Sequence, residues 1–365
     1  MDNIQITGNL YSQFANRILN TFKGKRAPIE GGIDITSRCN LRCIHCYIQG
    51  VPPKEEHELT YEEICRIFDQ IADEGCLWML ITGGEPLLRP DFADIYRYAK
   101  RKGFLITLFT NGTLLTPEIA DLLQKEKPFR VEISLYGMTA ATYEAVTGVP
   151  GSFARCMRGI DLLMERKLPL RLKTVAMTLN KHEVRDMQQY AKRLGVDFRF
   201  DATINYRLDG SAKPTNVRLS PSEVLELDIA DEERSSELRK YCDSHWETMC
   251  DDRLYTCGAG INCFHVTAAG ELAECIIGRR TKYNLLRGSF HEGFYEAISR
   301  QVLARRRTRL SECHSCPMIS LCASCASLAE LECGDPEAKV DWLCQVAHLR
   351  AANFKKGWRE EPAAK

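Results

Sequence analysis

The stretch Cys39-Asn-Leu-Arg-Cys43-Ile-His-Cys46 places three thiols within eight residues, directly after a predicted β-strand, Gly32–Thr36. A structural zinc site normally has four ligands, and although His45 is available as a fourth, so short a loop makes tetrahedral closure awkward. A 4Fe–4S cluster normally takes four cysteines, so three thiolates leave one iron open to bind a substrate or cofactor. We therefore interpret Cys39, Cys43 and Cys46 as ligands of a site-open cluster, with zinc or inert thiols as the less favoured alternatives.

Short β-branched runs alternate with amphipathic stretches along the chain that follows. Six strand–helix repeats of about 30 residues imply βαβ units, a parallel sheet and the α/β fold class. The periodicity alone does not distinguish a partial barrel from an open sheet. The predicted strands are Gly32–Thr36, Leu77–Thr82, Phe104–Thr110, Arg130–Leu135, Arg171–Ala176 and Asp197–Thr203, and the predicted helices are Thr60–Glu74, Asp91–Lys102, Pro117–Glu126, Ser152–Arg166 and Lys181–Leu194.

Three further motifs stand at the ends of successive predicted strands. Gly83-Gly84-Glu85-Pro86 ends the second strand, Thr110-Asn111-Gly112 the third and Ser134-Leu135-Tyr136-Gly137 the fourth. With the cysteine spacing and Tyr47 directly after it, these motifs resemble the radical S-adenosylmethionine (SAM) superfamily over about residues 30–205. The resemblance implies a partial (β/α)6 barrel that binds SAM at the carboxyl ends of its strands.

The resemblance implies SAM contacts for Gly83, Gly84, Glu85, Asn111 and Ser134. Glycines let a backbone approach a ligand closely, and a glutamate offers an anionic acceptor to an ammonium group. Simpler interpretations remain open, because the first motif also suits a turn, Asn-Gly is a common turn dipeptide and Ser134 suits a helix cap. His45 is interpreted as a loop residue rather than a ligand. Relatives often carry an arginine beyond the serine, where this chain has Val146-Thr147, so a carboxylate clamp from that position is in doubt.

The C-terminal part of the chain is loop-rich and dense in cysteine. The spacing is Cys257-x5-Cys263-x11-Cys275, then Cys313-x2-Cys316-x5-Cys322-x2-Cys325, and finally Cys344. Eight thiols are the complement of two fully ligated 4Fe–4S clusters, and one cluster plus a zinc site is the alternative. This composition predicts a small domain organised by metal rather than by an apolar core.

The arrangement resembles the SPASM extension of radical SAM enzymes that modify peptides and proteins. The resemblance implies two auxiliary clusters and therefore three 4Fe–4S clusters in all. Two features depart from the family pattern, because only two residues separate Cys322 from Cys325, and because Cys333 is an alternative to Cys344. By order along the chain, auxiliary cluster I would be held by Cys257, Cys263, Cys275 and Cys325, and auxiliary cluster II by Cys313, Cys316, Cys322 and Cys344.

Composition sets outer limits on function. The 365 residues carry 49 Lys+Arg and 49 Asp+Glu, a balance that argues against general binding to nucleic acid or to a membrane surface. No apolar run approaches the roughly 20 residues of a bilayer span, and Met1–Asn20 lacks the apolar region of a secretory signal. We therefore expect a cytoplasmic protein, in which clustered cysteines ligate metal more often than they form disulfides.

Seventeen cysteines leave six outside the three predicted ligand sets. We expect Cys65, Cys76 and Cys156 to be buried as small apolar side chains. A reactive role for Cys242 and Cys250 is the less favoured alternative to no role. The predicted segments are a short N-terminal segment (1–29), the barrel (30–206), a linker with a charged bridging helix (207–250), the SPASM domain (251–350) and a tail (351–365).

The resemblance implies an enzyme that reductively cleaves SAM to methionine and a 5′-deoxyadenosyl radical, which abstracts a hydrogen atom from the substrate. No catalytic residue beyond the cluster is assigned. The favoured substrate is a ribosomally made peptide, in which the enzyme forms a crosslink, epimerises a centre or cleaves the backbone. Haem or other cofactor biosynthesis is the alternative, and a non-catalytic iron–sulfur electron carrier is a third. Sulfatase-maturing relatives carry an aspartate after the third cysteine of the extension, but here Ile276 follows Cys275, so that activity is not expected.

Partners follow from the same resemblance. Only 38 residues precede Cys39, too few for the precursor-binding winged-helix domain that begins many peptide-modifying relatives. We therefore expect a precursor peptide, a separate peptide-recognition protein, and an electron donor such as ferredoxin or flavodoxin. The run Arg305-Arg306-Arg307-Thr308-Arg309 would suit an acidic leader peptide, although a solvated helix face is the simpler interpretation.

Overall fold

The computed structural model describes residues 8–22, 24–48, 57–244, 252–309, 311–313, 316–319 and 321–357. These residues form nine strands in a single sheet. The strands are β1 (Glu30–Asp34), β2 (Trp78–Thr82), β3 (Leu105–Thr110), β4 (Arg130–Ser134), β5 (Leu170–Val175), β6 (Asp197–Asp201), β7 (Cys263–Val266), β8 (Glu271–Ala273) and β9 (Lys282–Asn284). Their order is β6-β5-β4-β3-β2-β1-β7-β8-β9.

The first six strands are parallel neighbours in chain order, and a helix or helix pair follows each of the first five, which confirms the predicted α/β class. None of the helices in the described part of the chain is long and apolar enough to cross a membrane. The α-helices are α1 (Gly8–Phe22), α2 (Tyr61–Asp73), α3 (Phe92–Arg101), α4 (Pro117–Lys125), α5 (Ala140–Thr147), α6 (Ser152–Glu165), α7 (Val184–Leu194), α8 (Pro221–Ala230), α9 (Glu232–Ser244), α10 (Arg300–Ala304), α11 (Ala326–Cys333) and α12 (Asp341–Phe354).

Local capping explains where several helices begin. Thr60 and Glu63 form a capping box at the start of α2, and Ser220 and Glu223 form another at the start of α8. The charged bridging helix predicted after Ser220 is instead two helices, because the chain turns out of α8 at Asp231, whose carboxylate accepts the backbone N–H of Arg234.

Helix α5 was not predicted from the sequence. Its N-cap is Thr139, whose hydroxyl accepts the backbone N–H of Thr142. Ser134 is the last residue of β4, so the interpretation of Ser134 as a helix cap is wrong. The helix has only eight residues and little amphipathic periodicity, which is the pattern that sequence analysis depends on.

The main core lies between the parallel sheet and its helices. Buried aliphatic residues of neighbouring strands lie opposite each other in the sheet. Ile33 is paired with Ile81, and Ile133 is paired with Leu172. Each such side chain contributes about 1.5–3 kcal/mol by leaving water. The alternate positions face the other side of the sheet, where strand ends supply the polar groups of the site.

The cysteine-rich region continues the same sheet rather than forming a separate layer. Strand β7 pairs in parallel with β1, and β7 to β9 then run antiparallel. Phe264 of β7 is buried and packs against Phe290 at 4.8 Å and Phe294 at 6.1 Å between ring centroids. The expectation that metal alone organises this region is therefore wrong, because its aromatic side chains belong to the main apolar core.

The contact between β1 and β7 requires glycine at position 31. A Cβ built on Gly31 would lie 2.2 Å from the Phe264 ring, so Gly31→Ala should destabilise the protein by about 1–3 kcal/mol. Thermal and urea unfolding of the anaerobic protein measure the change. Adding Phe264→Leu should recover part of the loss in a double-mutant cycle. Phe264→Leu alone completes the cycle and is the control for the loss of ring contacts.

Candidate active site

A cavity of about 1030 Å³ lies over the carboxyl ends of the parallel strands. This volume is at the upper end of the range of ligand pockets, about 300–1,000 Å³. The structure brings most of the predicted SAM-site residues together in its wall, namely Cys39, Cys43, Cys46, Gly83, Gly84, Asn111 and Ser134. Glu85 is not among the lining residues.

The segment after β2 lies against the segment after β1 with no space between the two backbones. The N–H of Gly84 donates to the carbonyl of Thr36 at 2.9 Å, and the N–H of Glu85 donates to the carbonyl of Arg38 at 2.8 Å. A Cβ at either Gly83 or Gly84 would lie 2.2 Å from one of these carbonyl oxygens. The protein's own backbone therefore requires both glycines, in addition to any approach of a ligand.

Glu85 is completely buried and is satisfied by protein donors. Its carboxylate accepts the hydroxyl of Thr110 at 2.7 Å, the N–H of Asn111 at 2.7 Å and the N–H of Leu87 at 3.2 Å. Burial raises the pKa of Glu85 to about 7, against the effect of these hydrogen bonds. The contact of Glu85 with SAM stays a prediction, and the geometry also makes Glu85 a positioning residue for the end of β3.

Asn111 connects the end of β3 to the cysteine loop. Its side-chain amide donates to the amide oxygen of Asn40 at 2.9 Å, and its carbonyl oxygen accepts from the N–H of Thr113 at 2.9 Å. Gly112 has a φ of +76°, so the predicted turn is present, and Asn111 lines the cavity as well.

The cysteine loop is held by the end of α5. The N–H groups of Arg42 and Ile44 donate to the carbonyls of Thr147 and Val146 at 2.9 and 3.0 Å. Val146 and Thr147, at the position where relatives often carry an arginine, thus support the loop through their backbone carbonyls. Burial, followed by the neighbouring thiols, raises the pKa of Cys43, so the loop favours neutral thiols unless a cation compensates.

His45 lines the cavity and is a feature whose importance the sequence did not reveal. Its ring packs edge-on against Tyr136 at 4.8 Å, and its Nδ1 is buried without a partner among the described residues. Burial lowers the pKa of His45 to about 4, so the imidazole is neutral at pH 7. An unpartnered neutral nitrogen in a cavity wall is suited to hydrogen bonding with a ligand.

Four C-terminal thiols surround the β7–β8 hairpin. His265 pairs with Ala273, so continuing the register by two residues brings Cys275 opposite Cys263. Burial raises the pKa of Cys263, Cys275 and Cys325, and neighbouring thiols add to this effect, Cys257 at Cys263 and Cys325, and Cys325 at Cys275. The structure therefore brings together the set predicted for auxiliary cluster I.

A second group of four thiols, Cys313, Cys316, Cys322 and Cys344, lines one small cavity. These are the residues predicted for auxiliary cluster II. Cys333 lies at the far end of α11 from Cys325, about 12 Å along the helix, and the charges near it come from Glu332, Asp341 and Asp335 rather than from thiols. The geometry thus favours Cys344 over Cys333. The short spacing before Cys325 contains Ala323 in the left-handed region, with a φ of +49°.

Among the described residues, no three His, Cys, Asp or Glu side chains are close enough to hold one metal ion. A 4Fe–4S cluster places its cysteine sulfurs on different irons, which spaces them more widely than the ligands of a single zinc ion. Thiolate-rich donor sets of three and four cysteines fit such clusters, and we carry the ligand assignments forward as proposals.

The remaining cysteines follow the sequence analysis where the structure describes them. Cys65, Cys76 and Cys156 are buried, as predicted. Cys242 is also buried, which does not support a reactive role, and Cys250 lies outside the described residues.

The basic run at 305–309 does not form a helix face, so that interpretation is wrong. Helix α10 ends at Ala304, and Arg305 turns inward to donate to the hydroxyls of Tyr255 at 3.0 Å and Thr281 at 2.8 Å. Arg306 instead pairs with Asp252 at 3.3 Å. These contacts hold the segment 305–309 against the rest of the C-terminal region.

Lys173 is a second cavity residue that the motifs did not reveal. It stands opposite Ser134 in the sheet, 3.6 Å from the buried carboxylate of Glu132 and 2.7 Å from the ring centroid of Phe109. Burial lowers the pKa of Lys173 to about 7, although Glu132 acts in the opposite direction. Charged residues at alternate positions of β5 were the sequence signal for a polar, site-facing side of this strand.

Comparison with known proteins agrees with this geometry. Residues 33–194 match the family model of the radical SAM superfamily. A GTP 3',8-cyclase of Desulforamulus reducens (strain ATCC BAA-1160 / DSM 100696 / MI-1) is 30% identical over 300 residues, which are 76% of this chain and 88% of that protein. The chain belongs to the radical SAM superfamily.

Other relatives differ in how much of the chain they match. The AdoMet-dependent heme synthase of Methanosarcina barkeri (strain Fusaro / DSM 804) is 36% identical over 162 residues, 44% of this chain and 46% of that protein. The chain thus spans less than half the length of the first curated relatives it matches. The subtilosin biosynthesis protein AlbA of Bacillus subtilis (strain 168) is 25% identical over 311 residues, 82% of this chain and 67% of AlbA.

Solved structures share the fold over nearly the whole chain. Streptococcus suis SuiB bound to its precursor peptide SuiA has a TM-score of 0.70 at 20% identity, covering 94% of this chain and 83% of SuiB. The enzyme anSMEcpe with bound AdoMet has a TM-score of 0.69 at 17% identity, covering 89% of this chain and 96% of that one. These structures establish the partial-barrel fold with its C-terminal extension.

The lowered pKa of Lys173 is open to a direct chemical test. Competitive acylation with acetic anhydride is measured by peptide mass spectrometry as a function of pH. The reactivity of Lys173 should rise with a midpoint of about pH 7, whereas an ordinary lysine titrates at about pH 10.4. Lys125 of α4 serves as the internal comparison. Glu132→Gln should move the Lys173 profile to lower pH, because it removes the carboxylate that favours the charged amine. A wild-type midpoint near pH 10 would contradict the assignment.

Proposed function

We propose that this radical SAM enzyme modifies a ribosomally made peptide and carries three 4Fe–4S clusters. The observation that carries the proposal is that eight C-terminal cysteines fall into two interleaved groups of four, and that Cys322 of the second group reaches the cavity wall. A cavity bounded by the catalytic cysteine motif at one side and an auxiliary thiol at the other suits redox chemistry on a substrate held between them.

The cysteine loop and the strand ends would bind the reactive cofactors. Cys39, Cys43 and Cys46 would hold the site-open cluster, and Gly83, Gly84, Asn111 and Ser134 would contact SAM from the cavity wall. Glu85 would act from behind by fixing the N–H of Asn111. When bound, the cluster supplies the electron for reductive cleavage of SAM. The barrel excludes water and orients the substrate.

The auxiliary ligands follow the two thiol groups of the structure. Cys257, Cys263, Cys275 and Cys325 would hold auxiliary cluster I, and Cys313, Cys316, Cys322 and Cys344 would hold auxiliary cluster II. Burial raises the pKa of Cys263 to about 12 and that of Cys322 to about 12, and nearby thiols add to both effects. Bound iron would reverse this preference by favouring the thiolates.

Similarity along the whole chain supports a peptide substrate. AlbA matches 82% of the chain, and the SuiB structure with its precursor peptide covers 94%, whereas the heme synthase match covers 44%. A GTP 3',8-cyclase also covers 76% of the chain, so coverage supports the peptide substrate only together with the two groups of C-terminal cysteines. We propose a precursor peptide, a separate peptide-recognition protein and an electron donor such as ferredoxin or flavodoxin as partners in the cytoplasm. Cofactor biosynthesis is the second candidate, because 36% identity to the heme synthase in the barrel exceeds the identity to AlbA.

SAM cleavage tests the catalytic assignment. Anaerobically reconstituted, reduced protein should form 5′-deoxyadenosine, measured by liquid chromatography and mass spectrometry. Cys43→Ala should abolish it, because the site-open cluster loses a ligand. Cys316→Ala should retain part of the cleavage but lose substrate modification, and Cys333→Ala serves as the exposed-thiol control.

Mass spectrometry after incubation with a candidate peptide, iron coproporphyrin III or GTP identifies the substrate. Modification of only iron coproporphyrin III or GTP would contradict the peptide proposal.

Iron content tests the auxiliary ligands. The anaerobic protein should contain about twelve iron atoms and matching sulfide per chain, four for each cluster. Cys344→Ala should reduce this to about eight, because auxiliary cluster II loses a ligand, whereas Cys333→Ala should leave it unchanged. The reverse result would assign the ligand to Cys333, and about four irons in the wild type would remove both auxiliary clusters from the proposal.

A further inference from the structure

Two arginines of the cavity wall share one buried carboxylate. Asp228 of α8 is completely buried, and its Oδ1 accepts Nε of Arg234 at 2.5 Å. Its Oδ2 accepts Nε of Arg350 at 2.7 Å. Arg234 belongs to α9 and Arg350 to α12, so the carboxylate joins the bridging helices to the C-terminal helix.

One terminal nitrogen of each guanidinium group is left for a ligand, because Nη1 of Arg234 donates to the carbonyl of Phe200 and Nη2 of Arg350 donates to Asp228, both at 3.4 Å. In the described part of the chain, Nη2 of Arg234 and Nη1 of Arg350 have no hydrogen-bond acceptor, and both residues line the cavity. Arg234 also lies over the ring of Phe200 at 4.3 Å, which restricts its orientation. One carboxylate between two guanidinium groups leaves this wall with a net positive charge.

The other charged side chains of the cavity add to this charge. Arg42 and Arg199 are cationic lining residues, Lys173 with its pKa of about 7 is partly charged near neutral pH, and Asp201 is the lining carboxylate. Glu132 lies behind and pairs with Arg199 at 2.9 Å. The catalytic thiols and Cys322, as thiolates, are the other negative groups of the described lining. The Arg234–Arg350 pair is distinct from the predicted SAM contacts, which lie on the glycine and strand-end side.

We propose that Arg234 and Arg350 bind a carboxylate of the substrate. This inference rests on the proposed function. It implies that the peptide segment entering the cavity carries an acidic side chain or a terminal carboxylate. Nη2 of Arg234 and Nη1 of Arg350 would each donate a charge-assisted hydrogen bond to this carboxylate, and the Nε of each arginine, already fixed on Asp228, reduces the entropy lost on binding. Asp228 is then a positioning residue for both arginines.

Binding of charged and neutral peptides to the reconstituted, SAM-loaded holoenzyme tests this proposal. Hexaglutamate and hexaglutamine, both amidated at the C-terminus and carrying the same uncharged fluorescent dye at the N-terminus, are compared by fluorescence polarisation. Hexaglutamate should bind at least about tenfold more tightly, because a charge-assisted hydrogen bond contributes about that factor. Arg234→Gln and Arg350→Gln should each remove about tenfold of this preference without changing hexaglutamine binding. Arg350→Lys should restore part of it.

Arg97→Gln is the matched control, since Arg97 is half-exposed on α3 and pairs with Asp94 at 3.1 Å. This variant should bind both peptides as the wild type does. Thermal unfolding of each variant separates lost binding from lost structure, and if Arg350→Gln does not fold, Arg234→Gln and Arg350→Lys carry the test. Equal binding of the two peptides, or a preference that survives both glutamine substitutions, would overturn the carboxylate site.

Three further ligands separate this proposal from the proposed function. Iron coproporphyrin III is compared with its tetramethyl ester, and GTP is the phosphate probe. Arginine-dependent binding of the free porphyrin acid alone would support the carboxylate site while contradicting a peptide substrate. Arginine-dependent binding of GTP alone would overturn the carboxylate site. Failure of the wild-type holoenzyme to cleave SAM would contradict the proposed function, whatever the peptide preference.

Discussion

The backbone contact between the segments that follow β1 and β2 determines how the rest of the site is arranged. Gly83 and Gly84 allow it, because no Cβ fits against the carbonyls of Thr36 and Arg38. The contact fixes the start of the cysteine loop and delivers Glu85 into the protein interior. Glu85 then binds the N–H of Asn111, whose side chain reaches back to Asn40 in the cysteine loop. Three strand ends are thereby linked in a closed set of contacts.

Buried carboxylates give the cavity its distribution of charge. Glu132 faces Arg171, Lys173 and Arg199, and Asp228 faces two arginines. A buried carboxylate is costly unless it is paired, so each fixes the positions of its cationic partners. Because the cations outnumber these carboxylates, positive charge is held in place before any substrate binds. Such preorganisation lowers the cost of orienting a charged ligand.

The parallel strands and all of the barrel helices except α5 were predictable because their signals are local, and the cysteine groups were proposed from equally local spacing. Alternating apolar residues and cysteine spacing are read directly along the chain. The pairing of β7 with β1 and the burial of Glu85 depend on contacts between distant segments, which no local pattern contains. The choice of Cys344 over Cys333 likewise depends on helix α11 carrying Cys333 away from the other thiols. The motif thus identified Glu85 as important, but it could not reveal that protein donors surround its carboxylate.

Strand β1 connects the catalytic loop to the auxiliary thiols. Its carboxyl end leads into the cysteine loop, and its other neighbour, β7, begins at Cys263, opposite Glu30. Eleven residues separate Cys263 from Cys275. With this spacing, the register of the β7–β8 hairpin brings the two thiols opposite each other. Asp34 at the end of β1 also pairs with His265 at 3.0 Å and Arg279 at 3.2 Å. Burial raises the pKa of Asp34, but these two partners together hold it below its usual value, so a carboxylate joins the two regions. Because one strand supports both groups of thiols, a shift of β1 would move the cysteine loop and the thiols proposed for auxiliary cluster I together and preserve the separation between them.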